Sequence, residues 1–241
     1  MLYKTRGIVL RTIPYKETYH IIYMYTEAFG RVSYLVSRGR GKKSGVMRSL
    51  FIPLSVLDLE VEHLNRREMQ RIKEARLCLA SNEWMGNPIK NVLALFLSEV
   101  LFRFVKDAEP DERLFRFLYD SIQVLEKTDE GVANFHLVFL LHLLYYLGIY
   151  PNTEHRREGL YFDMLNGVFT DQIPMHPHYL RPDETRILVR LLKISYENMS
   201  LYAFSRHDRV RIIERIFEYY RLHVPGFQEI KSLSVLQSLF D

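Results

Sequence analysis

Apolar and polar positions alternate through the first third of this chain and then change to a helical period. Residues 4–12 form a β-branched run, and residues 19–26 form a second that is rich in Ile and Tyr. In residues 31–37, Val32, Tyr34 and Val36 share one face at period two. Residues 51–62 follow as a fourth run, apolar around Val56 after Pro53, and residues 66–76 as a fifth. The breaks carry turn chemistry: Pro14 before Tyr15-Lys16-Glu17, then Gly30, a Gly/Ser-rich stretch after Ser37, and Asn65. Five short strands in a module of this size predict a small closed β-barrel. A five-stranded OB-fold fits, and pattern alone leaves an SH3-like barrel open.

From about Leu77 the spacing becomes helical. Val92, Leu95, Phe96, Glu99, Val100, Arg103 and Phe104 form one stripe. Pro110-Asp111-Glu112 reads as a helix start, its acids near the positive end of the dipole. Leu114, Phe117, Leu118, Ile122 and Leu125 continue that helix. Residues 134–147 are apolar nearly all round, which predicts the central helix of a bundle. Residues 183–197 and 208–223 supply two more helices. Between them, residues 151–182 hold four prolines and two glycines, with Asn166-Gly167 as the turn of a predicted hairpin over residues 161–169. The expected fold class is therefore α+β with more than one domain. Residues 1–78 form an OB-fold barrel, and residues 79–241 form a mainly α-helical domain with residues 151–182 as a small hairpin insertion.

Charge sharpens this division. Residues 1–80 carry 15 Lys and Arg against 7 Asp and Glu, while the remaining residues carry 18 against 22. The whole basic surplus lies in the barrel module, and a basic module of this kind meets a polyanion. Between Glu27 and Asp58 no acidic residue occurs, whereas Arg31, Arg38, Arg40, Lys42, Lys43 and Arg48 do. Gly39, Gly41 and Gly45 separate the densest cations, so the backbone can bend along a phosphate chain and bring its N–H groups close. These six residues are the candidate phosphate contacts. The spacing lacks the Gly-Lys-Ser/Thr arrangement of a nucleotide-hydrolysing loop. Aromatics accompany the charge, and single-strand binders stack bases on aromatics set in a positive groove. Tyr25 and Tyr34 are the candidate stacking residues, although a place in the barrel core is the competing reading for each.

Other chemistry is excluded or weak. The single cysteine, Cys78, rules out a disulfide framework and a Cys-based zinc site, and fits a reducing compartment. His155, His176 and His178 border the Pro/Gly-rich segment without thiolates or clearly placed carboxylates, so no metal is expected. Carboxylate pairs such as Asp111-Glu112 and Asp183-Glu184 fall at predicted helix starts, where capping explains them. No nucleophile elbow, HExxH or dinucleotide fingerprint occurs, so no catalytic site and no cofactor are expected. The N-terminal residues lack a signal-peptide run, and residues 135–150 are too short and interrupted to span a bilayer. A cytoplasmic protein is expected.

The stretches Thr5-Arg6-Gly7-Ile8-Val9-Leu10-Arg11-Thr12, Tyr15-Lys16-Glu17-Thr18, Thr26-Glu27-Ala28-Phe29-Gly30-Arg31 and Ser37-Arg38-Gly39-Arg40-Gly41-Lys42-Lys43-Ser44 resemble, in order and spacing, the RecO family of DNA repair proteins. Gly148-Ile149-Tyr150-Pro151-Asn152, the 161–169 hairpin and Tyr219-Tyr220-Arg221-Leu222-His223-Val224-Pro225-Gly226 extend the resemblance over nearly the whole chain. It implies an OB-fold followed by a helical domain, and a nucleoid-associated recombination mediator without catalytic turnover. It implies binding to single- and double-stranded DNA, annealing of complementary strands, and work with RecR. It also implies docking of the acidic C-terminal tail of single-stranded DNA-binding protein, and help in loading RecA. Arg38, Arg40, Lys42 and Lys43 match the family's DNA-contacting loop. The family docks the tail in a helical-domain pocket with basic residues near apolar ones, for which Arg103, Arg113, Arg116, Arg206, Arg209 and Arg211 are candidates here. Some members carry a four-cysteine zinc finger where this chain has a cysteine-free hairpin, so no zinc is expected. The alternative function is a protein-interaction scaffold whose basic loop docks an acidic partner.

Overall fold

The computed structural model describes residues 1–37, 50–64, 66–78, 86–105, 109–157 and 159–239. Five strands close a barrel in the order β1-β2-β3-β5-β4: β1 (Leu2–Tyr15), β2 (Tyr19–Thr26), β3 (Gly30–Ser37), β4 (Val56–Glu62) and β5 (Met69–Leu77). β1 serves two neighbours because it is long. Its first half pairs antiparallel with β4, from Leu2 opposite Glu62 to Ile8 opposite Val56. Its second half pairs with β2, across a register shift between Val9 and Arg11 that turns the strand around the barrel corner. The closing contact, β3 to β5, is parallel. This order and the five-strand closure are those of an OB-fold.

The barrel core is built from Val9, Ile22, Met24, Val32, Tyr34, Leu57, Leu59 and Val61, with Leu50 and Phe51 as a plug. The alternation read in residues 31–37 is present, since Val32 and Tyr34 both point into this core. Gly7 is required by packing. A Cβ there would meet the side chains of Leu59 and Met24 at 2.9 Å each. The fourth strand starts at Val56 rather than at residue 51. Before it the chain turns back on itself, with Leu54 at φ 61 and its N–H donated to the Val9 carbonyl at 2.8 Å.

The chain divides into two compact units, Met1–Lys127 with Ile230–Leu239, and Thr128–Glu229. The first unit joins α1 (Pro88–Phe104), α2 (Glu112–Lys127) and α6 (Leu233–Leu239) to the barrel. α1 starts at Pro88 behind Asn87, whose side chain accepts from the Ile89 and Lys90 N–H groups. α2 starts where the Pro110-Asp111-Glu112 signature predicted, with the Asp111 carboxylate accepting from the Arg113 and Leu114 N–H groups. Compactness thus groups three helices from residues 79–241 with the barrel.

The second unit is built on α3 (Phe135–Tyr146), which is buried nearly all round. α4 (Pro182–Leu191), α5 (Arg206–His223) and a three-stranded sheet, β7-β6-β8, complete it. The sheet contains β6 (Tyr161–Asp163), β7 (Val168–Thr170) and β8 (Tyr179–Leu180). The predicted hairpin is present with a wider turn than a two-residue Asn-Gly loop. The Asp163 carboxylate accepts from the N–H groups of Leu165 and Asn166 and from the Asn166 amide, and so caps a four-residue connection. Gly167 holds φ 65 there, and a Cβ would meet the Tyr219 hydroxyl at 2.8 Å. The Tyr220 hydroxyl donates to the Leu140 carbonyl at 2.7 Å and ties α5 to α3. No helix among the described residues is long and apolar enough to cross a membrane.

Candidate nucleic-acid interface

Of the six candidate phosphate contacts, Arg31 is described, while Arg38, Arg40, Lys42, Lys43 and Arg48 lie outside the described residues. Arg31 projects from β3 onto α1. Its guanidinium lies 4.4 Å from the Phe102 ring centroid and 4.9 Å from that of Tyr23, and Nη1 donates to the Phe102 carbonyl at 3.2 Å. A half-buried cation held on two rings ties the barrel to α1.

The candidate stacking residues are corrected. Tyr25 and Tyr34 are both wholly buried, so neither ring offers a face to a base. Tyr34 fills the barrel core, where burial pushes its hydroxyl well above the ordinary tyrosine range. Tyr25 points to the other side of its sheet, where α2 covers it. Its ring stacks on Phe115, and its hydroxyl donates to the Glu109 carbonyl and accepts from the Asp111 N–H.

A second cation is also placed by ring contacts and was not singled out in the sequence. Arg11, just past the register shift of β1, holds its guanidinium 5.0 Å from the Phe102 centroid. Together with Arg103 and Lys231 it lines an open groove of about 600 Å³, floored by Leu10, Leu95 and Phe102. Glu99 shares the groove, but its carboxylate is engaged by the Ser232 N–H at 2.8 Å, the Ser232 hydroxyl at 2.6 Å and the Lys231 N–H at 3.1 Å. Those hydrogen bonds hold its pKa below the ordinary glutamate range, against the opposing effect of burial.

The candidate tail-docking arginines fall in different places. Arg103 lies in the groove just described, 3.8 Å from Glu99. Arg113 and Arg116 are exposed on α2, and Arg116 borders a recess shared with Arg6, Glu27 and Asp120. Arg206 opens α5, and Arg209 donates to the Phe204 carbonyl. Arg211 borders an apolar cavity of about 80 Å³ in the second unit, lined by Leu141, Leu144, Ile187, Leu188 and Ile212. Arg215 borders the same cavity and was missed in the sequence. It bridges Glu184 and Glu218, each at 2.8 Å.

The histidines of the hairpin region pair with carboxylates: His176 lies 3.2 Å from Asp163, and His178 3.1 Å from Glu218. No group of His, Cys, Asp and Glu among the described residues has the arrangement of a metal site.

Comparison with known proteins divides the chain between the barrel and α1. Residues 1–80 match the family model described as recombination protein O N terminal, and residues 85–233 match that of recombination protein O C terminal. The chain is 45% identical over 241 residues to the DNA repair protein RecO of Azobacteroides pseudotrichonymphae, with both chains covered completely. It is 43% identical over 242 residues to that of Bacteroides fragilis and 32% identical over 245 residues to that of Flavobacterium psychrophilum, again with complete coverage of both. With both halves matched in order and relatives aligned from end to end, the chain belongs to the recombination protein O (RecO) family.

Proposed function

We propose that this protein is a DNA-binding recombination mediator in DNA repair, acting without catalytic turnover in the cytoplasm at the nucleoid. The observation that carries this reading is an acid-free stretch with six cations in the sequence of a module that forms a closed five-stranded barrel, in a chain of the RecO family. Arg38, Arg40, Lys42, Lys43 and Arg48 neutralise phosphates of single- and double-stranded DNA, and Arg31, held between β3 and α1, acts as a positioning residue. Annealing follows from holding two strands at reduced mutual repulsion. RecR, the acidic tail of single-stranded DNA-binding protein and, indirectly, RecA are the protein partners. For the tail, Arg211 beside the apolar cavity of the helical unit best meets the family's pairing of basic with apolar residues. The scaffold reading, in which the basic loop docks an acidic protein, is kept as the alternative because the same cations would serve it.

The test is oligonucleotide affinity against salt. If those five cations neutralise phosphates of a single strand, the log–log slope reaches about −3.5. Replacing Arg38, Arg40, Lys42 and Lys43 with Ala flattens it by about 3 and weakens all sequences alike, because phosphate contacts carry no base information. A wild-type affinity that ignores salt overturns the DNA reading. Loss of an acidic protein partner with DNA binding unchanged favours the scaffold.

A further inference from the structure

The groove between β1, α1 and α6 has features that the basic loop does not explain. Arg11 and Lys231 are exposed, and among the described residues neither has a carboxylate partner. Arg11 is held above Phe102, so its guanidinium is positioned before any ligand arrives, and all five of its N–H donors lack an acceptor among the described residues. Arg103, on the same wall, lies 3.8 Å from the one acid, Glu99, and offsets its charge. The Glu99 carboxylate also accepts from three neutral donors of Lys231 and Ser232, so the net positive charge of the groove is that of Arg11 and Lys231.

The floor is apolar and partly open, with Leu95 and Val235 each 44% exposed beside Phe102. Pro53, on the segment by which the acid-free stretch re-enters the barrel, forms part of the wall. Two exposed cations beside an open apolar floor suit a chain that carries both phosphates and flat, weakly polar bases. A compact anion would leave the apolar floor unused.

We propose that this groove is a second track for single-stranded nucleic acid, with Arg11 and Lys231 on phosphates and bases over the exposed Leu95 and Val235. The inference rests on the DNA-binding reading above and adds a surface outside the loop. A track separate from the loop lets one molecule hold a strand in two places. The loop variant therefore retains binding that depends on the groove.

The experiment compares five full-length proteins on one labelled mixed-sequence oligonucleotide over a range of salt. They are wild type, the fourfold loop variant, R11A/K231A, R11K/K231R and the loop variant combined with R11A/K231A, each first checked for native circular dichroism. Removing two phosphate contacts flattens the single-strand slope by about 1.4. The expected result is that flattening in R11A/K231A, near-wild-type behaviour in the charge-conserving R11K/K231R, and no measurable binding when the loop and groove changes are combined. A slope unchanged in R11A/K231A, while the loop variant loses its share, overturns the groove and leaves the DNA reading intact. A wild-type protein without salt-dependent binding overturns both. An acidic peptide lost by R11A/K231A, with oligonucleotide binding retained, also overturns the track and assigns the groove to a protein partner.

Discussion

The barrel unit and the helical unit treat their cations differently. In the barrel unit guanidinium groups lie on aromatic rings: Arg11 and Arg31 on Phe102, and Arg6 5.5 Å from the Phe115 centroid and 5.0 Å from that of Tyr119. In the helical unit the cations beside the cavity are drawn into carboxylates, with Arg215 between Glu184 and Glu218 and Arg211 4.0 Å from Glu184. A ring holds a guanidinium in place without cancelling its charge, whereas a carboxylate cancels it. The charges of Arg11 and Arg31 are therefore left uncancelled for a polyanion, while those of Arg211 and Arg215 are met by carboxylates of their own unit. Net charge alone would not distinguish a solvated surface from a binding one; the partners of each cation do.

The same contrast extends to buried polar groups, and the largest expected effect lies in the helical unit. His136 on α3 is wholly buried, and burial holds its pKa down to about 3, with the charge of Arg209 acting in the same direction. An unfolded histidine takes up a proton below its ordinary pKa of about 6.5, but the folded one resists until about 3. Stability is thus full above about 6.5 and falls by up to about 1.4 kcal/mol per pH unit below it. Urea denaturation followed by circular dichroism should show a loss of about 2 kcal/mol between pH 7 and pH 5. His136→Leu should abolish that loss. A variant that keeps the full dependence would show that this unit does not store its pH sensitivity in an uncharged buried imidazole.

These contrasts mark where sequence reading succeeds and where it stops. β-Branched and aromatic runs between turn residues, with period-two alternation in residues 31–37, located all five barrel strands. The pattern could not tell the core from a binding groove. Tyr25 and Tyr34 look alike in the pattern, yet Tyr34 is covered by the barrel itself and Tyr25 by α2, which is about ninety residues further along. The two-residue strand β8 was missed because Tyr179 and Leu180 follow Pro177 with too few positions to show any period. Arg11 and Lys231 carried no local signal. They meet only when β1 and the C-terminal segment pack on the two sides of α1. The hairpin was located by Asn166-Gly167, while its turn was set by Asp163, whose carboxylate competes for backbone N–H groups.

An intermediate effect separates two wholly buried tyrosines, Tyr34 and Tyr220. Tyr220 donates to the Leu140 carbonyl, whereas the Tyr34 hydroxyl has no hydrogen-bond partner among the described residues. Removing a satisfied buried hydroxyl costs about 1 kcal/mol, and removing an unsatisfied one is neutral or gains up to about 1 kcal/mol. Tyr220→Phe should therefore lower the urea midpoint and Tyr34→Phe should leave it unchanged or raise it. Equal losses in the two variants would mean that the Tyr34 hydroxyl has an acceptor, and the barrel core would then be as fully satisfied as the helical one.

The smallest effect is expected where the barrel unit departs from its own habit. Arg6 lies on two rings and also forms two hydrogen bonds to Glu27, Nε to Oε2 at 2.9 Å and Nη2 to Oε1 at 2.6 Å. The Arg6 hydrogen bonds hold the Glu27 carboxyl below the ordinary glutamate range. Both side chains remain about one-third exposed, at 37% and 34%, so water and salt screen the pair. A double-mutant cycle of Arg6→Ala and Glu27→Ala should give a coupling of about 0.5 kcal/mol. The coupling is present above the ordinary glutamate pKa, disappears as acid protonates Glu27 through its lowered pKa, and shrinks in high salt. Arg6→Ala alone should cost more than this coupling, because it also removes the stacking on Phe115 and Tyr119. A cycle that returns the whole cost of Arg6→Ala as coupling to Glu27 would make the ring contacts incidental. The rings could then no longer be credited with holding the cations of this unit in place, for Arg11 and Arg31 as much as for Arg6.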